Sequence, residues 1–272
     1  MTSKTVSHPQ YWYNGEPSEQ KTLTLSYQDP GLLFGATVFT TLRVYEHSLT
    51  HPWTAWNGHI HRLTQSLQAF HWADPNWNQI QRGADLLARH YPVLRITLFP
   101  DGRELIMGRS LPEGLVARQH QGITAWVADS PEFRRSLAAH KTGNYLSCWL
   151  ARQAAQRAHA QEAILIDARG HWLETSTGNL WGWARGQWYT PPLAAGILPG
   201  TLRSRLLQGL QAQQSTVQVA LWTPELILQF TYLAYSSSVV EVTPIHTILQ
   251  GHSSVNYNPD HEKTAQLTAA WR

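Results

Sequence analysis

Hydrophobic and polar positions change their period along the chain, and the changes mark out strands and helices. The β-branched, alternating stretches "KTLTLSY" (21–27) and "TVFTTLRVYE" (37–46) predict strands. From Gly58 to Phe70, the residues Ile60, Leu63, Leu67 and Phe70 recur at helical spacing, and "NQIQRGADLLARHY" predicts a second helix. "VLRITLF", "RELIMGRS" and "GITAWVAD" predict three strands set off by "PDG" and "PEG" turns. This first part reads as an α/β layer with helices gathered on a mostly antiparallel sheet.

Beyond "DSPEFRRSLAAH" the pattern changes. Tyr145 to Ala160, rich in Ala, Gln and Arg with no internal breaker, predicts a helix. "EAILIDA", "HWLET", "NLWGWAR" and "QWYTP" predict short strands joined by tight turns, of which "ARG" is the clearest. A helix follows Pro199–Gly200 through "TLRSRLLQGLQAQ", and "TYLAYSSS" and "VVEVTPIHTILQ" predict the last strands. The expected division is a smaller N-terminal α/β domain at 1–118, a connecting segment at 119–130 and a larger C-terminal domain at 131–272.

Composition narrows the class. The chain has 272 residues, 42% of them hydrophobic and only 14% charged, with 13 tryptophans, so it is globular and large enough for one large or two smaller domains. The opening "MTSKTVSHPQYWYNGE" has no apolar signal core, and no stretch approaches the roughly 20 apolar residues of a membrane helix. One cysteine, Cys148, excludes an internal disulfide, fits a reducing cytosol and reads as a helix packing residue. The pI is near 9.1, yet the formal charge is only +3. No run of arginines extends beyond Arg134–Arg135, so the sequence gives no basic stripe for nucleic acid and no reason to expect a membrane surface. A small anionic ligand met by a few arginines is the simpler expectation.

Lysine is the sharpest compositional signal. Only Lys4, Lys21, Lys141 and Lys263 occur among 21 Lys+Arg residues, and Lys141 alone is mid-chain. A lysine, unlike an arginine, can lose its proton in a pocket and attack a carbonyl. Four further segments fit one ligand. "ETSTGNLW" flanks a Ser/Thr/Gly loop with Glu174 and Asn179, a carboxylate for a protonated ring nitrogen and an amide for a neighbouring oxygen. "GILPGTLRSRLL" puts a Gly-containing turn at a helix N-terminus, which favours phosphate. "AYSSSVVEV" leaves three serines between strands, and "HIHRLTQSL" places Arg62 on a helix opposite its apolar face. Each alone suits an ordinary loop or solvated helix face. Together they match the needs of pyridoxal phosphate, an electron sink that the protein positions and tunes. No metal-ligand pattern is expected.

The segment "HKTGNYLSCWLARQAAQRAHAQEAILIDARGHWLETSTGNLW" resembles the core of the class IV aminotransferases, the fold-type IV pyridoxal-phosphate enzymes. The likeness runs, in the family's order, from "YNGE" at Tyr13 to "EVTPI" ending at Ile245. The resemblance implies that Lys141 forms the Schiff base, that Arg62 binds the phosphate and that Glu174 pairs with the pyridine nitrogen. It also implies Tyr145 near the phenolic oxygen and Leu198 against the ring. Gly200, Thr201 and Leu202 would form the phosphate turn, Ser237 and Ser238 the second phosphate loop, and Asn179 a support close by. The implied fold is the two-domain α/β (α+β) arrangement with the cofactor at the domain interface, in a cytoplasmic homodimer.

Within the family, "VFTTLRVYE" resembles the aminodeoxychorismate lyases, whereas branched-chain and D-amino-acid transaminases usually carry glutamate where Thr40 stands. The four-residue gap from Lys141 to Tyr145 fits lyases and D-amino-acid transaminases. The implied activity is elimination of pyruvate from aminodeoxychorismate to give 4-aminobenzoate for folate. A class IV transaminase is the alternative, and a catalytically silent binding module the rival from another class. Thr40 or Thr41 could deliver a proton, and Arg43 and Arg95 could meet the two substrate carboxylates. "SYQDPGLLFGATVF" lacks the arginine common there, "GTL" replaces "GIT" or "GIM", and "FPDGRELIMGRSLPEG" has no clear counterpart.

Overall fold

A computed structural model describes residues 8–259 and 261–272. Lys4 and the first residues of the leader reading lie outside them. The chain divides into two compact units: residues 1–111 with 141–144, and residues 112–140 with 145–272.

The first unit is built on a five-stranded antiparallel sheet. Its strands are β1 (Tyr11–Tyr13), β2 (Glu16–Ser18), β3 (Val38–Arg43), β4 (Val93–Leu98) and β5 (Glu104–Arg109), in the order β2-β1-β5-β4-β3. β1 and β2 turn through Asn14 and Gly15, both at positive φ, the conformation a two-residue hairpin demands. Helix α1 (Pro30–Phe34) is short and capped by Asp29. Helices α2 (Trp56–Phe70) and α3 (Trp77–Ala88) supply Leu63, Leu67, Ile80 and Leu87, which pack with Leu42, Leu94, Ile96 and Ile106 of the strands.

The stretch 21–27 forms no strand, despite its alternation. Alternation yields a strand only where a partner edge is free. Here one sheet edge is the three-residue β2, and the other edge is occupied at its start by 141–143. Tyr27 is 79% exposed, and the stretch lies on the surface.

The second unit contains strands β6 (Ile123–Ala128), β7 (Glu162–Ile166), β8 (Trp172–Thr175), β9 (Asn179–Ala184), β10 (Gln187–Thr190), β11 (Val217–Val219), β12 (Tyr232–Ser237), β13 (Glu241–Gln250) and β14 (Ser253–Asn256). They run β11-β10-β9-β12-β13-β6-β7-β8, with β14 on β13. One further pair, Glu174 with Asn179, joins β8 to β9 and closes six of them into a ring. Its helices are α4 (Leu115–Gln121), α5 (Leu146–Arg157), α6 (Thr201–Ala212), α7 (Pro224–Ile227) and α8 (His261–Trp271).

β6 lies parallel to both β7 and β13, in the middle of this sheet. It therefore belongs to the second unit's core, where Ile123, Ala125 and Val127 are buried, and not to a connecting segment at 119–130. Pro112 and Gly114 lead into α4, an element the periodicity did not reveal. Cys148 is buried with Ala151, Ala155 and Ala163 where α5 meets the sheet, as a packing residue.

Candidate functional site

Lys141 is held in an extended segment, not on a helix. Its carbonyl accepts the Phe39 N–H at 2.8 Å, and the Gly143 N–H donates to Thr37 O at 2.7 Å. Thr142 thereby pairs with Val38, and the side chain of Lys141 falls on the Phe39 face of β3. Its Nζ lies 4.9 Å from the centre of the Phe39 ring, and the Arg95 guanidinium lies 3.5 Å from the same centre. Gly143 is required for the approach, since a Cβ there would meet Thr37 Oγ1 at 2.2 Å.

Strand alternation sorts the neighbours. Phe39, Thr41 and Arg43 share a face with Arg95 and Thr97 of β4 and with Leu105, Met107 and Arg109 of β5, by direct cross-strand register. Those three strands put three arginines and no carboxylate on the Lys141 face. Arg43 leans over Tyr45 at 5.0 Å.

Thr40 faces the other way. It is fully buried, its Oγ1 accepts Arg62 Nη2 at 2.7 Å and lies 2.6 Å from His59 Nδ1. His59 Nε2 is buried with no partner among the described residues. Burial holds His59 well below its ordinary value, and Arg62 and Lys141 add to the effect. Arg62 is not on a solvated face: it is 8% exposed, in one helical stripe with His59, Leu63, Ser66 and Leu67.

In the second unit, Glu174 Oε1 accepts Arg135 Nη1 at 2.5 Å and Oε2 accepts the Leu198 N–H at 3.0 Å. Asn179 Nδ2 donates to Leu198 O at 2.9 Å, so the ring-closing pair grips both backbone groups of Leu198. Arg135 also donates to His140 O at 2.9 Å and lies 5.4 Å from the centre of the Tyr145 ring. Tyr145 caps α5, and burial pushes its phenol far above the usual range, so the hydroxyl keeps its proton.

The Ser176 and Thr177 hydroxyls of the "STG" turn both donate to the buried Glu162 carboxylate, which also accepts the Ala163 N–H. That turn is structural within, and only its flanking residues, Glu174 and Asn179, reach outward to Leu198. Gly200 must be glycine, because a Cβ would lie 2.0 Å from Asn179 Oδ1. Thr201 and Leu202 open α6, whose first N–H groups have no helical acceptor, and the buried Thr201 Oγ1 has no partner among the described residues. Arg203 adds positive charge in this turn: it is buried, bonded to Pro191 O at 2.9 Å, and lowered by desolvation. Ser236 and Ser237 end β12, with Ser236 taken by Trp181 Nε1, and Ser238 lies in the turn beyond.

Sequence reasoning missed His59, Arg135 and Glu162. His59 stands three residues before Arg62, and that spacing could have placed both on one helix face. Arg135 and Glu162 carry no local signal, because their partners are distant in sequence. The donors present suit a phosphorylated pyridine aldehyde: an amine in the first unit, and in the second a phenol, a carboxylate and the open N–H groups at the start of α6.

Residues 37–248 match the model of amino-transferase class IV. The chain is 23% identical over 263 residues to an aminodeoxychorismate lyase of Vibrio harveyi, covering 91% of this chain and 94% of that one. It is 26% identical over 254 residues to a D-alanine aminotransferase of Bacillus licheniformis, covering 87% of each. The structure superposes on the PLP-bound form of a hypothetical aminotransferase from Mycobacterium tuberculosis with a TM-score of 0.81 at 18% identity, over 96% of this chain and 98% of that one.

Proposed function

Because the chain belongs to the amino-transferase class IV family, we propose that it is a pyridoxal 5'-phosphate enzyme and, within the family, a 4-amino-4-deoxychorismate lyase. The observation that carries the finer reading is the Lys141 face of β3–β5. It bears Arg43, Arg95 and Arg109 and no carboxylate on those strands, with Arg95 over the same Phe39 ring as the Lys141 amine. Such a face suits a substrate with an amino group and two carboxylates, each met by a guanidinium.

Pyridoxal 5'-phosphate, when bound, supplies the electron sink that makes a proton beside the substrate nitrogen removable. Arg62, Thr201, Leu202 and Ser238 would hold the phosphate. Tyr145, kept protonated by burial, would donate to the phenolic oxygen, and Glu174 would keep the ring nitrogen protonated. Lys141, as a neutral amine, would remove the ring proton of the substrate. The electrons of that bond enter the ring, the carbon–oxygen bond to the enolpyruvyl group breaks, and the ring becomes aromatic 4-aminobenzoate. The departing oxygen takes a proton and its enol becomes pyruvate. Thr40 is engaged by Arg62 and His59, which leaves Thr41 as the hydroxyl for that proton. The enzyme works as a homodimer in the cytoplasm; among the described residues no helix is long and apolar enough to cross a membrane.

The test supplies aminodeoxychorismate, made in place by its synthase, and follows 4-aminobenzoate and pyruvate. Equal amounts of both, abolished in Lys141→Ala, are expected. Glutamate formed from D-alanine or a branched-chain amino acid with 2-oxoglutarate, and no aminobenzoate, would overturn the lyase reading in favour of transamination.

A further inference from the structure

The hairpin between β12 and β13 closes at the pair Ser237–Glu241, with residues 238–240 between them. Its closing residue sits at φ +58, the left-handed region where glycine or asparagine is the ordinary choice. This chain places a glutamate there and buries it to 5% exposure. The carboxylate is gripped from α4 and from the residue that follows α8: Gln119 Nε2 donates to Oε2 at 3.3 Å and Arg272 Nη2 at 3.0 Å. The same Gln119 amide donates to Val240 O at 3.0 Å, and the Val240 N–H points to Ser237 Oγ at 3.5 Å. Polar contacts thus run from Arg272 and Gln119 through Glu241 and Val240 to Ser237, the residue before Ser238.

A glycine would satisfy the backbone at 241 without cost and without an anchor. We infer that Glu241, clamped by Arg272 and Gln119, is a positioning residue that fixes the Ser237–Ser238 turn in its phosphate-accepting shape. The inference rests on the reading of that turn as a phosphate loop. The clamp acts on the turn alone, so it governs affinity for the phosphate of the cofactor and leaves affinity for the rest of the molecule untouched. Arg272, which holds no part of the cofactor, acts on the phosphate through Glu241.

Equilibrium titrations of the full chain with pyridoxal 5'-phosphate and with pyridoxal, followed by absorbance of the bound form, read the phosphate contribution as the ratio of the two affinities. Ser238→Ala is the reference, and it should lower the ratio. Glu241→Gly, despite its relaxed backbone, and Arg272→Ala should each lower it about tenfold with pyridoxal affinity unchanged, whereas Glu241→Gln, which keeps an oxygen acceptor, should stay within about twofold of the parent. A parental ratio in Glu241→Gly and Arg272→Ala, with a lowered ratio in Ser238→Ala, overturns the clamp and leaves the phosphate turn standing. A parental ratio in Ser238→Ala overturns the phosphate reading of the turn and the inference with it. An equal fall in both affinities shows a general structural role and overturns the proposal as well. Should Glu241→Gly not fold, Arg272→Ala carries the same test.

Discussion

At the scale of single residues, the Thr40–His59–Arg62 group decides the most. Replacing Thr40 with valine keeps the shape and removes both hydrogen bonds, leaving Arg62 Nη2 and His59 Nδ1 without that hydroxyl in a buried place. Such a loss costs about 1–3 kcal/mol, which urea unfolding of the Thr40→Val protein would read against the parent. His59 adds a pH dependence. Its folded-state value is depressed well below the ordinary 6.5, so the unfolded chain binds a proton that the folded chain refuses. Stability from this group is present above the unfolded value and is lost as pH falls below it. Urea midpoints between neutral pH and about pH 5.5 should converge for the parent and His59→Gln, because the variant lacks this titration. A parental curve as steep in His59→Gln would refute the assignment. From sequence, Lys141, Glu174 and Asn179 could be picked out because they stand in short, unusual strings. Arg135, the partner of Glu174, and Glu162, which holds the turn between Glu174 and Asn179, could not, since each meets its carboxylate or hydroxyls across long sequence separations.

Among elements, close approach is enforced by missing side chains. A Cβ on Gly209 of α6 would lie 1.4 Å from Ala270 O of α8, and backbone cannot give way as a flexible side chain can. Gly209→Ala should therefore lower stability by about 3 kcal/mol or more, seen as a fall in thermal midpoint. Gly170 is the contrast: nothing lies within 4 Å of its Cβ position, and its φ of +79 is the only obstacle. Gly170→Ala should cost about 1 kcal/mol, from backbone strain alone. The long elements were legible because their period is long and unbroken: α2, α3, α5 and α6, and most strands, lie within two or three residues of the sequence expectation. The failures have physical causes. Residues 21–27 had a strand's alternation and no partner edge. α4 and α7 are too short for a period to show, and β11 depends on pairing with β10, not on its own residues.

Over the whole molecule, the chain leaves the second unit after His140 and returns at Tyr145. Four residues of one unit are thus threaded into the sequence of the other, which no linear domain boundary could express. Native-state hydrogen exchange should show it. The Gly143 amide, bonded to Thr37 O, should share the protection of the β3–β4 ladder, and the Trp149 amide, bonded to Tyr145 O, that of α5. Equal protection at both, unrelated to their ladders, would contradict this division. The ring of strands in the second unit bears on descent as well as on stability. Its closing pair is Glu174 and Asn179, and their side chains grip Leu198 from both sides. A lineage that drifted from catalysis would have to keep that carboxylate for architecture or rebuild the seam. On the role proposed for Glu174, chemistry and shape would be inherited together at position 174, and a descendant that had lost the reaction would still carry its signature.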